Sequence, residues 1–270
     1  MCRLFGMSSG PEPATATFWL LDAPDSLARQ SHENPDGTGI GFYDREGRPH
    51  VEKQPTAAYD DRRFAAEARE IRSRTVVSHV RHATTGALTV ANTHPFILEG
   101  RIFAHNGVID DLPALEAELG PEGMALVGGE TDSERYGALI TREAARAGGD
   151  VGAGIRAAAE WTIAHLELLS INCILISAGE LWALRYPATH TLFVLQRRPG
   201  GAGPGAGALD VMSHHGTRVH SDHGTAHPMV VVASERMDDD PDWRELEVGE
   251  LIHVDSDLRV SSERLGQPAR

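Results

Sequence analysis

Cysteine, positive charge and long apolar runs are all scarce in this chain of 270 residues. Its two cysteines, Cys2 and Cys173, are too few for a disulfide scaffold. Only 25 lysines and arginines face 39 acidic residues, a formal net charge of −14. That balance has the wrong sign for gripping phosphate backbones or an anionic membrane surface, so no nucleic acid and no membrane partner is expected. No apolar run approaches the ~20 residues of a membrane-spanning helix, and the first residues, MCRLFGMSSGPEP, lack the apolar stretch of a secretory signal. Internal repeats and heptads are missing too. A cytoplasmic protein is the expectation.

Hydrophobic residues make up 41% of the chain, enough to exclude wholesale disorder and to build a substantial core. Turn signals bound short β-like stretches at Thr38–Tyr43, Thr75–Val80 and Arg101–Ala104. Later stretches at Ser170–Ser177 and Leu181–Tyr186 read as a strand pair, with further strands at Leu192–Gln196, Met229–Ala233 and Glu250–Val254. Helices are expected over Asp61–Arg74, Leu112–Leu119, Thr131–Ala147 and Ile155–Leu168. The third opens on Thr-Asp-Ser-Glu, a capping signature, and stops at Gly148 and Gly149. Pro199–Gly207 (PGGAGPGAG) can hold neither helix nor central strand and reads as a flexible loop inside one domain spanning 1–270. Strands in runs, without regular βαβ alternation, favour a layered α+β architecture.

Four stretches could carry chemistry. Cys2 follows an initiator Met that aminopeptidases remove before small residues, so the mature chain is expected to begin with a cysteine. Such a residue carries a thiol and a free α-amine together, and the amine, with a reference pKa of about 7.7–8.0, can serve as the thiol's base. In SHVRHATTG (78–86), Arg81 offers a fork for a carboxylate, with threonines beside it. In FAHNG (103–107), Asn106 and Gly107 place a side-chain amide next to an unobstructed N–H, two donors able to meet an oxyanion. By itself an Asn-Gly pair more commonly signals a hairpin turn. In GGETDSE (128–134), Asp132 suits a substrate ammonium or a helix cap equally well.

The order of these features resembles the glutaminase domain of class II glutamine amidotransferases, which are N-terminal-nucleophile (Ntn) hydrolases. The motifs run from Cys2 to about Ala147, and the likeness continues through SINCILIS, LWALRY, VVVASERMDDDPDW and VGELIHVD. The resemblance implies a four-layer αββα sandwich of two antiparallel sheets. It implies Cys2 as nucleophile with its α-amine as base, Asn106 and Gly107 as oxyanion hole, Arg81 and Thr84 on the substrate α-carboxylate, and Asp132 on the α-ammonium. Asp36–Gly41 matches the strand beside the nucleophile, while His94 and His105 sit in family motifs as supporting residues. His82 stands where the aminosugar-forming branch commonly carries Trp.

The implied substrate is glutamine or another small γ-glutamyl amide, handled without cofactor or metal. No synthase module follows the glutaminase portion, which points to a separate ammonia-accepting subunit or to a stand-alone γ-glutamyl hydrolase. SLARQS and ASERMDDDPDW are similar to the ergothioneine-pathway enzyme that removes γ-glutamate from a hercynylcysteine sulfoxide conjugate. Two other classes compete. Histidines 214, 215, 220, 223 and 227 could suggest a metal, but their spacing fits no standard site, and a solvated loop reads better. A non-catalytic binding or regulatory module would keep the fold and tolerate loss of Cys2. Cys173 reads as an inert core thiol, and Asp238–Asp240 as a solvated turn.

Overall fold

Residues Arg3–Ser8 form the first strand, β1, whose side chains alternate between two apolar layers. Phe5 and Met7 point to an outer core and Leu4 to an inner one, the period-2 pattern of a strand buried on both faces. The computed structural model describes residues 2–83, 86–197, 209–212, 218–221 and 228–266, with 209–212 and 218–221 described by backbone alone.

After β1 the chain makes a π-helical turn at Phe18–Asp22 and a short helix α1 (Leu27–Gln30). It continues through β2 (Gly37–Tyr43), β3 (Pro49–Gln54), α2 (Arg62–Glu70), β4 (Thr75–Arg81), β5 (Phe96–Leu98) and β6 (Arg101–Ile109). Three helices follow: α3 (Leu112–Met124), α4 (Asp132–Arg146) and α5 (Val151–His165). Then come β7 (Leu168–Ile176), β8 (Leu181–Leu184), β9 (Phe193–Arg197), β10 (Leu209–Met212) and β11 (Arg218–Ser221). The last strands are β12 (Met229–Ala233), β13 (Arg244–Glu245), β14 (Glu250–Val254) and β15 (Val260–Arg264).

One sheet runs β13-β9-β12-β1-β4-β2-β3 and the other β15-β14-β8-β7-β6-β5, with every ladder antiparallel. Leu4, Val77, Ile102, Ala104, Ile174 and Val232 belong to the apolar layer between the sheets. Phe64, Trp19 and Leu27 cover the outer face of the first sheet, and Leu115, Tyr136 and Ile155 that of the second. The order of layers is therefore helices, sheet, sheet, helices, the αββα sandwich the resemblance implied.

The caps expected from sequence are in place. Thr131 Oγ1 accepts from the Glu134 amide at 3.2 Å, and Gly148 and Gly149 follow α4 with positive φ. Some boundaries differ. The helix expected to reach Arg74 ends at Glu70, where Ile71 turns extended toward β4. The one expected to stop at Leu119 resumes beyond Gly120, whose φ of 63° makes a kink ahead of Pro121. The fifth helix starts earlier, capped by Asp150 through a 2.9 Å bond to the Ala153 amide. The loop 199–207 lies outside the described residues. So does most of the histidine tract, apart from the backbone hairpin of β10 and β11. Among the described residues, no helix is long and apolar enough to cross a membrane and no acidic, His or Cys cluster is arranged for a metal ion.

Candidate active site

Cys2 stands at the head of β1, in the central part of the first sheet. The ladder with β4 pairs Arg3 with Val80, so the next residues outward are Cys2 and Arg81. The main chain of His82 then brackets the sulfur. Its amide donates to Cys2 Sγ at 3.2 Å, and the thiol donates to its carbonyl at 3.4 Å. Asp36 fixes this bracket from both flanks: its carboxylate accepts from the Ala83 amide at 2.8 Å, and its amide donates to the Arg81 carbonyl at 3.0 Å. Burial pushes the Cys2 thiol up, with Asp132 adding to the rise. The His82 amide, the ammonium at the chain start and Arg81 pull the other way. At neutral pH the thiol is mostly protonated and needs a base.

Arg81 is buried, and its guanidinium donates to the carbonyls of Ala87 at 3.3 Å and Gly86 at 3.5 Å. These are long bonds from a group that forms much shorter ones with a carboxylate. Thr84 lies outside the described residues. The 86–92 loop is clasped to the start of α4 through Asn92, which donates to Ala87 O and Glu130 Oε2, both at 3.1 Å, and accepts from the Glu130 amide at 2.8 Å.

Asn106 and Gly107 do not form a hairpin turn. They lie inside β6, opposite Asn172 and Ile171 of β7, and the strand runs on to Ile109. The Asn106 side-chain amide has no hydrogen-bond partner among the described residues, although the residue is only 4% exposed. Gly107 must be glycine: a Cβ there would sit 1.8 Å from the Ser170 carbonyl oxygen. Just beyond, the register shifts between Val108 and Ile109, and the Ile109 amide donates to Asp132 Oδ2 at 2.9 Å.

Among the described residues the other oxygen of Asp132 is left without a strong donor, and the reason lies in His105. Its Nε2 faces the Ser170 carbonyl at 3.1 Å, an acceptor only, so Nε2 carries the proton. Its Nδ1 is then an acceptor and takes the Ser133 hydroxyl proton at 2.9 Å. Ser133 Oγ lies 3.5 Å from Asp132 Oδ1 with that proton already engaged. Burial pushes the His105 ring down, with Asp132 opposing, so a neutral imidazole fits both bonds. His79 and His94 stack at 4.1 Å between ring centroids, their ring nitrogens without a hydrogen bond among the described residues, and burial pushes His79 down to about 3. Neither can serve as a base near neutral pH.

The family model for class-II glutamine amidotransferases matches residues 1–264. The chain belongs to that family. The chain is 29% identical to the gamma-glutamyl-hercynylcysteine sulfoxide hydrolase of Mycobacterium tuberculosis over 94% of its own length and 93% of that protein's. It is 29% identical to a probable glutamine amidotransferase of Saccharomyces cerevisiae, covering 52% of this chain and 44% of the yeast protein, so it spans less than half of that relative's length. Its fold matches the glutamine phosphoribosylpyrophosphate amidotransferase of Bacillus subtilis with a TM-score of 0.65 at 20% identity, over 99% of this chain and 50% of that one. The sandwich is thus the Ntn-hydrolase fold.

Sequence reasoning missed the parts of the site made by main chain. His82 reads as a departure in side chain, yet its peptide groups hold the sulfur. The Asn92–Glu130 clasp joins the loop ahead of β5 to the start of α4, two segments far apart in the chain. The acidic run 238–240 is not a solvated turn at its first residue. Asp238 is buried, bound to Arg197 at 3.1 Å and to the Trp243 indole at 2.7 Å, and gives the buried Arg197 on β9 a nearer acidic partner than Asp240 at 3.8 Å. Cavities of about 480 and 460 Å³ lie against α5 with β14–β15 and beside β9 with β12, and no predicted site residue lines either.

Proposed function

We propose that this protein hydrolyses the side-chain amide of a γ-glutamyl compound, with Cys2 as nucleophile. The observation that carries the reading is the environment of Cys2 Sγ: a protonated, half-buried thiol held by the His82 peptide groups and close enough to Arg81 and Asp132 to feel both charges. A zwitterionic amino-acid head needs those two opposite charges. Arg81 exchanges its long loop contacts for the α-carboxylate, with Thr84 assisting, and Asp132 Oδ1 accepts the α-ammonium.

Removal of Met1 leaves the Cys2 α-amine free to take the thiol proton. The thiolate attacks the amide carbon, and the Asn106 side-chain amide and Gly107 N–H meet the oxyanion. Collapse breaks the C–N bond, the protonated amine gives its proton to the departing ammonia or amine, and a γ-glutamyl thioester remains. Water then hydrolyses the thioester, releasing glutamate and restoring the thiol. The reaction takes place in the cytoplasm, where both free cysteines stay reduced.

The leaving group admits two versions. A separate synthase subunit would accept ammonia from glutamine, whereas a dedicated hydrolase would release a larger amine. The full-length likeness to the mycobacterial sulfoxide hydrolase favours the second. Intact mass of the purified protein, followed by glutamate release from glutamine and a panel of γ-glutamyl amides, tests both. Release by protein lacking Met1, abolished in Cys2→Ala, is expected. Release that survives Cys2→Ala, or activity in protein that retains Met1, would overturn the mechanism.

A further inference from the structure

Strand β1 outruns its neighbour β12. Their ladder reaches Phe5 opposite Ala233, and one bond further out the Ser234 amide donates to the Leu4 carbonyl at 3.0 Å. Carbonyls along a strand alternate between its two edges, so the Cys2 carbonyl, two residues before Leu4, faces the same edge past the end of β12. There a side chain takes the place of the missing strand. Arg3 Nη1 donates to the Cys2 carbonyl at 3.3 Å, and Arg3 Nη2 pairs at 3.3 Å with Oε1 of Glu235, the residue that follows Ser234. The Arg3 side chain is only 13% exposed, so its charge depends on these partners more than a surface arginine's does.

Glu235 is itself placed by bonds on both flanks. Before it, Ser234 Oγ accepts from the Leu4 amide at 2.9 Å, and the Ser234 carbonyl accepts from the Thr191 hydroxyl at 2.8 Å. After it, the Met237 carbonyl accepts from the Asp25 amide at 3.1 Å, just ahead of α1. Asp25 brings a second acid close. Burial and Glu235 push its carboxyl up, with Arg3 and Arg29 opposing, so the Arg3 guanidinium lies in the field of both carboxylates.

We propose that Arg3 is a positioning residue for the nucleophile: steadied by Glu235, it holds the Cys2 carbonyl so that the freed α-amine keeps one direction through the reaction. Terminal residues are poorly ordered unless tied down. The Cys2 Cα carries three heavy-atom substituents, its side chain, its carbonyl and its nitrogen. His82 holds the first at sulfur and Arg3 the second at oxygen, and with two held the third is fixed as well. The amine has two tasks in turn, taking the thiol proton and giving it to the departing nitrogen. A Cα that turned between those steps would carry the amine away from one of its partners. The role rests on the function proposed above and belongs to a residue outside the motifs that meet the substrate.

The test compares wild type, Arg3→Met, Arg3→Lys, Glu235→Gln and the Arg3→Met/Glu235→Gln double variant, each cleaved from a fusion so that Cys2 is its first residue. Iodoacetamide labelling followed by intact mass reports folding without substrate: a folded chain takes one label at Cys2, and an unfolded one exposes the buried Cys173 and takes two. A displacement of about 1 Å costs up to about 10²-fold in rate, so Arg3→Met is expected to lower kcat about 10–100-fold on the best γ-glutamyl amide with KM within about twofold. Arg3→Lys, which keeps one donor, recovers part of kcat. Glu235→Gln loses less than Arg3→Met, and the double variant is no slower than Arg3→Met, because Glu235 acts through Arg3. Unchanged kcat in Arg3→Met overturns the proposal while the function stands. A rise in KM alone, a Lys variant no better than Met, or single losses that multiply in the double variant also overturn it. Should Arg3→Met take two labels, Glu235→Gln decides: lower kcat at constant KM supports the role, and unchanged kcat overturns it. Wild type that releases no glutamate from any γ-glutamyl amide overturns the function, and this role with it.

Discussion

The two peptide groups of His82 hold the Cys2 sulfur from opposite sides, amide to Sγ at 3.2 Å and Sγ to carbonyl at 3.4 Å. The N–H bond favours thiolate against the burial that disfavours it. The bracket is itself fixed, because Asp36 bonds to the residues on both sides of His82.

Asp36→Ala is expected to loosen that bracket without touching substrate. A hydrogen bond to a charged group is worth about 1.5–3 kcal/mol, and part of it orders the sulfur. Cys2 alkylation followed against pH should shift its midpoint upward, and kcat should fall about tenfold. An unshifted midpoint would remove Asp36 from the support of the nucleophile.

Asn106→Ala removes one of the two oxyanion donors. The fold should survive, since the Asn106 side chain bonds to no described residue, while turnover falls by about 10²–10³. Circular dichroism and glutamate release check the two halves separately.

Arg81→Lys keeps the charge but loses the planar fork. KM for γ-glutamyl amides should rise about tenfold or more with kcat less affected. The analogue 4-aminobutanamide, which lacks the α-carboxylate, should show no such difference between wild type and variant. Equal losses on both substrates would place Arg81 elsewhere in the mechanism.

The stacked pair His79 and His94 makes stability acid-sensitive. Burial lowers His79 from 6.5 to about 3, so the unfolded chain binds its proton first as pH falls. Stability is therefore fully present above pH 6.5 and declines toward pH 3, with a slope of about 1.4 kcal/mol per pH unit per histidine. His79→Gln should flatten the fall of Tm between pH 6.5 and 4.5, whatever its Tm at neutral pH. A slope equal to wild type would refute the assignment.

Asp238→Ala leaves Arg197 with Asp240 at 3.8 Å as its acidic partner among the described residues, deep in the outer core beside Trp19. Removing one member of a buried pair costs about 3–5 kcal/mol, so Tm should drop by several degrees. Asp238→Asn, which keeps an acceptor for the Trp243 indole, should lie between the two.

Much of the site is legible in the residues themselves. A cysteine at position 2, an arginine at a strand end, an Asn-Gly pair and a Thr-Asp-Ser-Glu helix start each carry a chemical type that their role demands. Their order along the chain identifies the family, and the helix cap at Thr131 follows from local bonding rules. What the sequence leaves open is where a neighbour far along the chain decides. Asn106-Gly107 is a turn signal until Asn172 and Ile171 pair with it and make it strand interior. Asp238 belongs to a polar run until Arg197 claims it. The spare oxygen of Asp132 exists only because Ser170 sets the tautomer of His105. The grip of His82 on Cys2 uses peptide groups that every residue except proline possesses, so no side chain announces it. Side-chain chemistry was written in the chain; backbone donors and acceptors acquire a purpose only when the two sheets stack and bring their strands together.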